Sequence, residues 1–252
     1  MPALIFDCDG VLADTERDGH RPAFNQAFAE AGLDVVWDEA EYARRLQIGG
    51  GKERIASLFD DAEDRADEIR ALHKRKTAIY KEIVEAGKLP ARPGIARIVE
   101  EALAAGWVLA VASTSAEESV RAVLEHAVGA DNAAEFAVFA GDVVPAKKPD
   151  PAIYVLTLER LGLAPGDGIV IEDSRNGLLA AVGAHLRCVV TVSGYTAEED
   201  MSEAVLVVSS LGDPGEPARV LANRGGARPG DLVTLADLDA CRTQPLSEKE
   251  AV

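Results

Sequence analysis

Asp7 and Asp9 stand two residues apart at the end of an apolar run, Leu4-Ile5-Phe6, and Gly10 follows at once. On an extended segment such residues point the same way, so two carboxylates would enter one small volume and repel each other. A hard cation relieves that repulsion. Mg²⁺ is the candidate, because it takes oxygen ligands, binds few carboxylates and leaves positions open for phosphate oxygens. The competing reading is structural: a strand followed by an Asp-Gly turn, with one Asp as a helix cap.

Three later stretches bear on that choice. Ser113-Thr114-Ser115 follows the run V-L-A-V-A and precedes a helical stretch, so its hydroxyls and N–H groups either hold a phosphoryl oxygen or form an N-cap only. Lys147 and Lys148 lie in G-D-V-V-P-A-K-K-P-D-P, as a solvated turn or with one lysine, Lys147 preferred, reaching back to the carboxylates and a phosphate. Glu172 and Asp173 close the run G-I-V-I and repeat the arrangement at Asp7. Two acidic strand ends, with a hydroxyl-bearing strand end and a lysine loop between them, form the set that Mg²⁺-assisted phosphoryl transfer needs.

The elements that must position these groups follow from periodicity. Leu4 to Phe6, residues 108–112, Phe136 to Ala140, Gly168 to Glu172, Cys188 to Val192 and Val205 to Val208 read as buried strands. Helical stretches separate them, from Pro93-Gly94 to Ala105, Asp150 to Leu161 and Ser174 to Val182. Such alternation implies right-handed crossovers and a Rossmann-like, doubly wound parallel sheet of the α/β class. In that architecture ligands sit at the carboxyl ends of the strands, where the acids fall.

From Thr15 to Leu89 the pattern is helical throughout. Phe24, Ala27, Phe28 and Ala31 mark one helix, and Ile69, Leu72, Ile79 and Ile83 mark a longer one from Glu63 to Ala86. An all-helical domain, 15–89, is therefore expected as an insertion after the first strand, with the core formed by 1–14 and 90–252. Beyond Gly212 the chain is rich in Pro and Gly, with one short helix from Leu235 to Cys241 and a frayed polar end at Ser247 to Val252.

Composition limits the partners. The 252 residues carry 26 Lys+Arg against 43 Asp+Glu, a net charge of −17, which argues against nucleic acid or an anionic membrane surface. An anionic small molecule then requires locally gathered basic groups. The scattered Cys8, Cys188 and Cys241 indicate neither a disulfide framework nor a zinc site and fit a reducing compartment. With no leader-like segment and no apolar run of membrane length, a cytoplasmic protein is expected, a processed organellar form remaining open. A monomer is expected, since no exposed coiled coil or apolar patch is legible.

Taken in order, D-C-D-G-V-L, S-T-S, K-K-P-D-P and V-I-E-D-S-R-N-G resemble the four motifs of the haloacid-dehalogenase superfamily of aspartyl phosphatases and mutases, and the helical insertion resembles its C1-type cap. The stretches H-R-P-A-F-N-Q-A-F, G-G-K-E-R-I, A-G-D-V-V-P-A-K-K-P-D-P-A-I-Y and V-S-G-Y-T are similar to the CbbY group, which dephosphorylates xylulose-1,5-bisphosphate, an inhibitor of Rubisco. The similarity covers residues 1 to about 210.

The resemblance implies Asp7 as nucleophile, forming an aspartyl phosphate, and Asp9 as acid and base. It implies Mg²⁺ held by the Asp7 carboxylate, the Asp9 backbone carbonyl and Asp173, with Glu172 ordering them from behind. Ser113 and Lys147 would stabilise the phosphoryl oxygens, with Thr114 and Ser115 beside them, and Glu16 would contact substrate hydroxyls. A bisphosphate needs a second anion site, and Gly49-Gly50-Gly51-Lys52-Glu53-Arg54 offers glycines, a helix start and two basic side chains, or else a hinge. His73 and Lys76 fall on or beside the apolar stripe of the long helix, where a lysine must meet an anion or snorkel outward. Two places depart from the group's pattern: Gly19 lengthens the linker before His20, and Glu117-Glu118-Ser119 lacks the expected Asn. The alternatives are a β-phosphoglucomutase-like enzyme on the same core and a non-catalytic sugar-phosphate-binding protein.

Overall fold

The computed structural model describes residues 1–48, 50–87 and 89–246. The chain divides into two compact units, Met1–Asp14 with Pro90–Val252, and Thr15–Leu89. Strand β1, Ala3–Phe6, is buried along its whole length.

The second unit is helical. A π-helical turn at Glu16–His20 leads into α1 (Arg21–Glu30), followed by α2 (Glu39–Leu46), α3 (Gly51–Ala56) and α4 (Ala66–Glu85). Asp38 starts α2 by accepting from the Glu41 N–H at 2.7 Å. Trp37 fills the centre, its ring 4.9 Å from Phe24 and 4.8 Å from Phe28. Helix α4 begins at Ala66 rather than Glu63, and its buried stripe is Ile69, Leu72, Lys76, Ile79, Tyr80 and Val84.

The first unit continues with α5 (Ile95–Ala104), β2 (Val108–Ser113), α6 (Glu117–Val128), α7 (Ala130–Ala133), β3 (Phe136–Ala140) and α8 (Ala152–Leu161). Then come β4 (Gly168–Glu172), α9 (Arg175–Gly183), β5 (Arg187–Thr191), β6 (Leu206–Val208), β7 (Val220–Asn223) and α10 (Leu235–Thr243). The strands form one sheet in the order β3-β2-β1-β4-β5-β6-β7. The pairs from β3 to β6 are parallel and β7 is antiparallel to β6, so the fold is the expected Rossmann-like, doubly wound one with an added edge. Strand order reverses on either side of β1, which is where such sheets open a crevice for a ligand.

One core cluster joins Ile5, Ala110, Ala112 and Val170 of the sheet to Ile153, Tyr154 and Leu158 of α8 and Leu178, Ala180 and Ala181 of α9. Parallel strands buried on both faces read as continuous apolar runs, which is why the sequence pattern located them. Strand β7 escaped that pattern. It is an edge strand with Val220 and Leu221 exposed, so no alternation marks it. Helix α10 extends two residues past Cys241, and Thr234 and Asp237 cap it reciprocally. The residues from Ser247 onward lie outside the described residues. All three cysteines are free and buried. Among the described residues no helix is long and apolar enough to cross a membrane.

Candidate active site

Strand β1 delivers Asp7 to the sheet edge. The Asp7 N–H donates to the Ile171 carbonyl at 2.9 Å, carrying the ladder one residue past the strand. Because Phe6 pairs with both Val111 and Ile171, the next step of the register sets Asp7 beside Ala112 and Glu172. All four residues around this point, Asp7, Glu172, Asp173 and Ser113, are buried.

The lysine that reaches them is Lys148. Its ammonium donates to Asp7 Oδ1 at 2.7 Å, Glu172 Oε1 at 2.6 Å and the Ala112 carbonyl at 2.9 Å. Lys147, expected in that role, is exposed and lies 3.6 Å from Asp142. Both lysines stand in one Pro-bounded loop, and only the path of its backbone decides which turns inward. Burial alone would lower the Lys148 pKa, but Asp7 and Glu172 overcome it and hold the ammonium charged. Burial pushes the Asp7 carboxyl up to about 7, with Lys148 pulling downward and Glu172 and Asp9 adding to the rise.

Glu172 is fully engaged. Beyond Lys148 it accepts from the Tyr154 hydroxyl at 2.5 Å and, through Oε2, from the Asp173 N–H at 3.2 Å. Its carboxylate lies over Gly177, where an added Cβ would fall 1.9 Å from the carboxyl carbon. The Asp173 carboxylate lies in the same way against Gly10, whose φ is +77°. The two glycines of D-C-D-G and E-D-S-R-N-G are therefore seats for acids.

Asp7, Glu172 and Asp173 each offer an oxygen within 4.8 Å of the others. The donors are all hard oxygens, and the carboxylates outnumber the cation set among them, which suits a metal such as Mg²⁺ or Ca²⁺. Glu172, already satisfied by three donors, suits the ordering role, leaving Asp7 and Asp173 as ligands.

Across β2, Ser113 Oγ accepts from the Ser115 N–H at 3.1 Å, and the Ser115 hydroxyl donates to Asp9 Oδ2. Thr114, between them, is half-buried. Sequence reasoning missed Arg92. Its guanidinium donates to the Gly10 carbonyl and to those of Thr191 at 2.8 Å, Val192 at 2.7 Å and Ser209 at 2.6 Å, fastening the acid-bearing turn to the ends of β5 and β6. Backbone partners leave no pattern in sequence. Tyr154 was missed because its partner, the Glu172 carboxylate, is distant along the chain.

The helical unit holds the remaining candidates. Glu16 accepts a short bond from the Tyr42 hydroxyl and lies 3.8 Å from Arg54, which donates to that hydroxyl at 3.3 Å and to the Ile48 carbonyl at 3.0 Å. Lys76 does not snorkel. It is buried, with Nζ 2.9 Å from His20 Nδ1 and 4.6 Å from the Phe24 ring centre. Gly51 packs on the His73 ring, where a Cβ would fall 2.9 Å away, so the glycine turn and α4 meet at that point. Burial, then Lys76 and Lys52, lower His73 to about 4. Lys52 and Glu53 are exposed, and the Glu53 carboxylate folds back over Gly50. Gly49 lies outside the described residues. Helix α3 has only six residues, so an anion there would have to be held by basic side chains rather than by its dipole.

The model of the haloacid dehalogenase-like hydrolases matches residues 1–185. The CBBY-like protein of Arabidopsis thaliana is 48% identical over 224 residues, 85% of this chain and 70% of that one. The plasmid CbbY protein of Cupriavidus necator is 45% identical over 243 residues, 93% of this chain and 95% of that one. The solved structure of an Asp-to-Asn variant of Rhodobacter sphaeroides CbbY in complex with xylulose-1,5-bisphosphate has a TM-score of 0.75 at 39% identity, over 83% of this chain and 94% of that one. Acid-bearing strand ends, the lysine joining them and the match over the first 185 residues agree: this chain belongs to the haloacid dehalogenase-like hydrolase family.

Proposed function

We propose that the protein is a Mg²⁺-dependent sugar-bisphosphate phosphatase whose substrate is xylulose-1,5-bisphosphate. The observation that carries the phosphatase reading is Asp7, held by Lys148 among the buried carboxylates of Glu172 and Asp173. The substrate is supported by the relative bound to that compound and by the basic side chains Lys52, Arg54 and Lys76 of the helical unit, of which Lys76 is buried against His20 and Phe24.

In the first step an Asp7 carboxylate oxygen forms a bond to phosphorus as the bond from phosphorus to the sugar oxygen breaks. The leaving oxygen takes a proton from Asp9. In the second, water attacks phosphorus, Asp9 takes its proton, and the bond from Asp7 to phosphorus breaks, releasing phosphate and restoring both carboxyl groups. Ser113 donates to the equatorial oxygens, and Lys148, its donors held by Asp7, Glu172 and the Ala112 carbonyl, contributes its positive charge beside them. Asp7, Asp173 and the Asp9 carbonyl would hold Mg²⁺, which would supply positive charge to offset that of the phosphoryl group. Glu16 reads sugar hydroxyls, and Tyr42 and Arg54 fix its carboxylate.

The test is phosphate release across a panel of mono- and bisphosphorylated sugars with Mg²⁺. Xylulose-1,5-bisphosphate should have the highest kcat/KM, and Asp7→Asn should abolish turnover. Preference for a monophosphate would overturn the substrate, and an active Asp7→Asn the mechanism. Conversion of β-glucose 1-phosphate without net phosphate release would put the mutase reading in its place.

A further inference from the structure

Ser113 and Ser115 lie two residues apart at the end of β2, yet their hydroxyls have different partners. Ser113 Oγ accepts the Ser115 N–H, which orients it and leaves its own hydrogen to give. The Ser115 hydroxyl is directed at Asp9, donating to Oδ2. A hydroxyl carries one hydrogen, so Ser115 cannot grip a phosphoryl oxygen while it holds that carboxylate.

We propose that Ser115 is the positioning residue for Asp9. By donating to Oδ2 it fixes the rotamer of a side chain that sits in a glycine turn, so the acid that gives a proton to the sugar oxygen and recovers it from water is held in one place. The inference rests on the phosphatase reading and divides its strand-end hydroxyls: Ser113 serves the phosphoryl group, and Ser115 serves the acid. Proton transfer depends steeply on placement, and an error of about 1 Å is worth about 100-fold in rate.

The experiment compares wild type, Ser115→Ala and Ser115→Thr on a sugar phosphate and on a nitrophenyl phosphate, whose leaving group departs without a proton. For Ser115→Ala, kcat on the sugar ester should fall by about 100-fold with KM within about twofold. The single-turnover release of nitrophenolate should stay within about threefold of wild type, because that step needs no acid. Ser115→Thr, which keeps the hydroxyl, should recover most of the sugar-ester rate. Equal losses on both esters, or a raised KM with unchanged kcat, would make Ser115 a phosphate contact and overturn the inference. A wild type inert toward both esters would overturn the phosphatase reading and this inference with it.

Discussion

Lys148 places its ammonium between Asp7 and Glu172, 2.7 Å from one carboxylate and 2.6 Å from the other. A third bond, to the Ala112 carbonyl, completes the donor set and ties both acids to the edge of β2. Removing the cation leaves two buried anions without compensation, which costs about 3–5 kcal/mol. Lys148→Met should therefore lower thermal stability markedly and lower phosphate release by at least about 100-fold, while Lys147→Ala should leave both nearly unchanged. Melting curves and phosphate assays of the two variants check this, and an inactive Lys147→Ala would contradict it.

The glycines at Gly177 and Gly10 make a second case. Gly177→Ala drives a methyl into the Glu172 carboxylate, and Gly10→Ala adds a left-handed backbone strain to a clash with Asp173. Each should destabilise by about 1–3 kcal/mol. Gly177→Ala should disturb Lys148 and Tyr154 through Glu172, whereas Gly10→Ala should act on the response to metal. Urea denaturation and metal titration of the two variants separate these effects.

Metal dependence can be read both with and without substrate. Chelation should abolish phosphate release and Mg²⁺ should restore it. Because only the folded protein assembles Asp7 and Asp173, saturating Mg²⁺ at about 100 times its Kd should add about 2.7 kcal/mol to stability. Asp173→Asn should raise the Mg²⁺ concentration needed for half of that shift by about 10-fold or more. An unchanged melting temperature on adding Mg²⁺ would count against the site.

His73 gives a pH dependence. Its pKa falls from 6.5 to about 4 on folding, chiefly through burial, so between those values the unfolded chain binds more protons. The contribution of neutral His73 is complete above pH 6.5 and is lost as pH falls toward 4. Thermal melting across that range should show a slope in wild type that is reduced in His73→Gln, which stays neutral throughout. Equal slopes would place the acid sensitivity elsewhere.

The buried parallel strands and their acidic ends were legible in the sequence because a buried parallel strand is an apolar run, and an acid at its end interrupts that run visibly. Glu172 and Asp173 could be placed opposite Asp7 on that ground alone. The choice between Lys147 and Lys148 was not legible, since identical neighbours in one loop carry no periodicity. Arg92 and Tyr154 were hidden because their partners are carbonyls and a carboxylate distant along the chain. Tyr42 belongs to no motif in the sequence, and only the structure brings its hydroxyl to Glu16. Strand β7 had no apolar alternation to betray it.

Strand β1 lies between β2 and β4, so Ala3 pairs with both Val108 and Gly168. During synthesis the strand that ends in Asp7 emerges ahead of β4 and finds its second neighbour only after the helical unit, β2 and β3 have followed. The helical unit, whose contacts are local, can close in that interval, but Asp7 has no Glu172 beside it until β4 arrives. Nascent chains cut off before that strand therefore hold the acid in a half-built sheet and have no hydrolytic capacity.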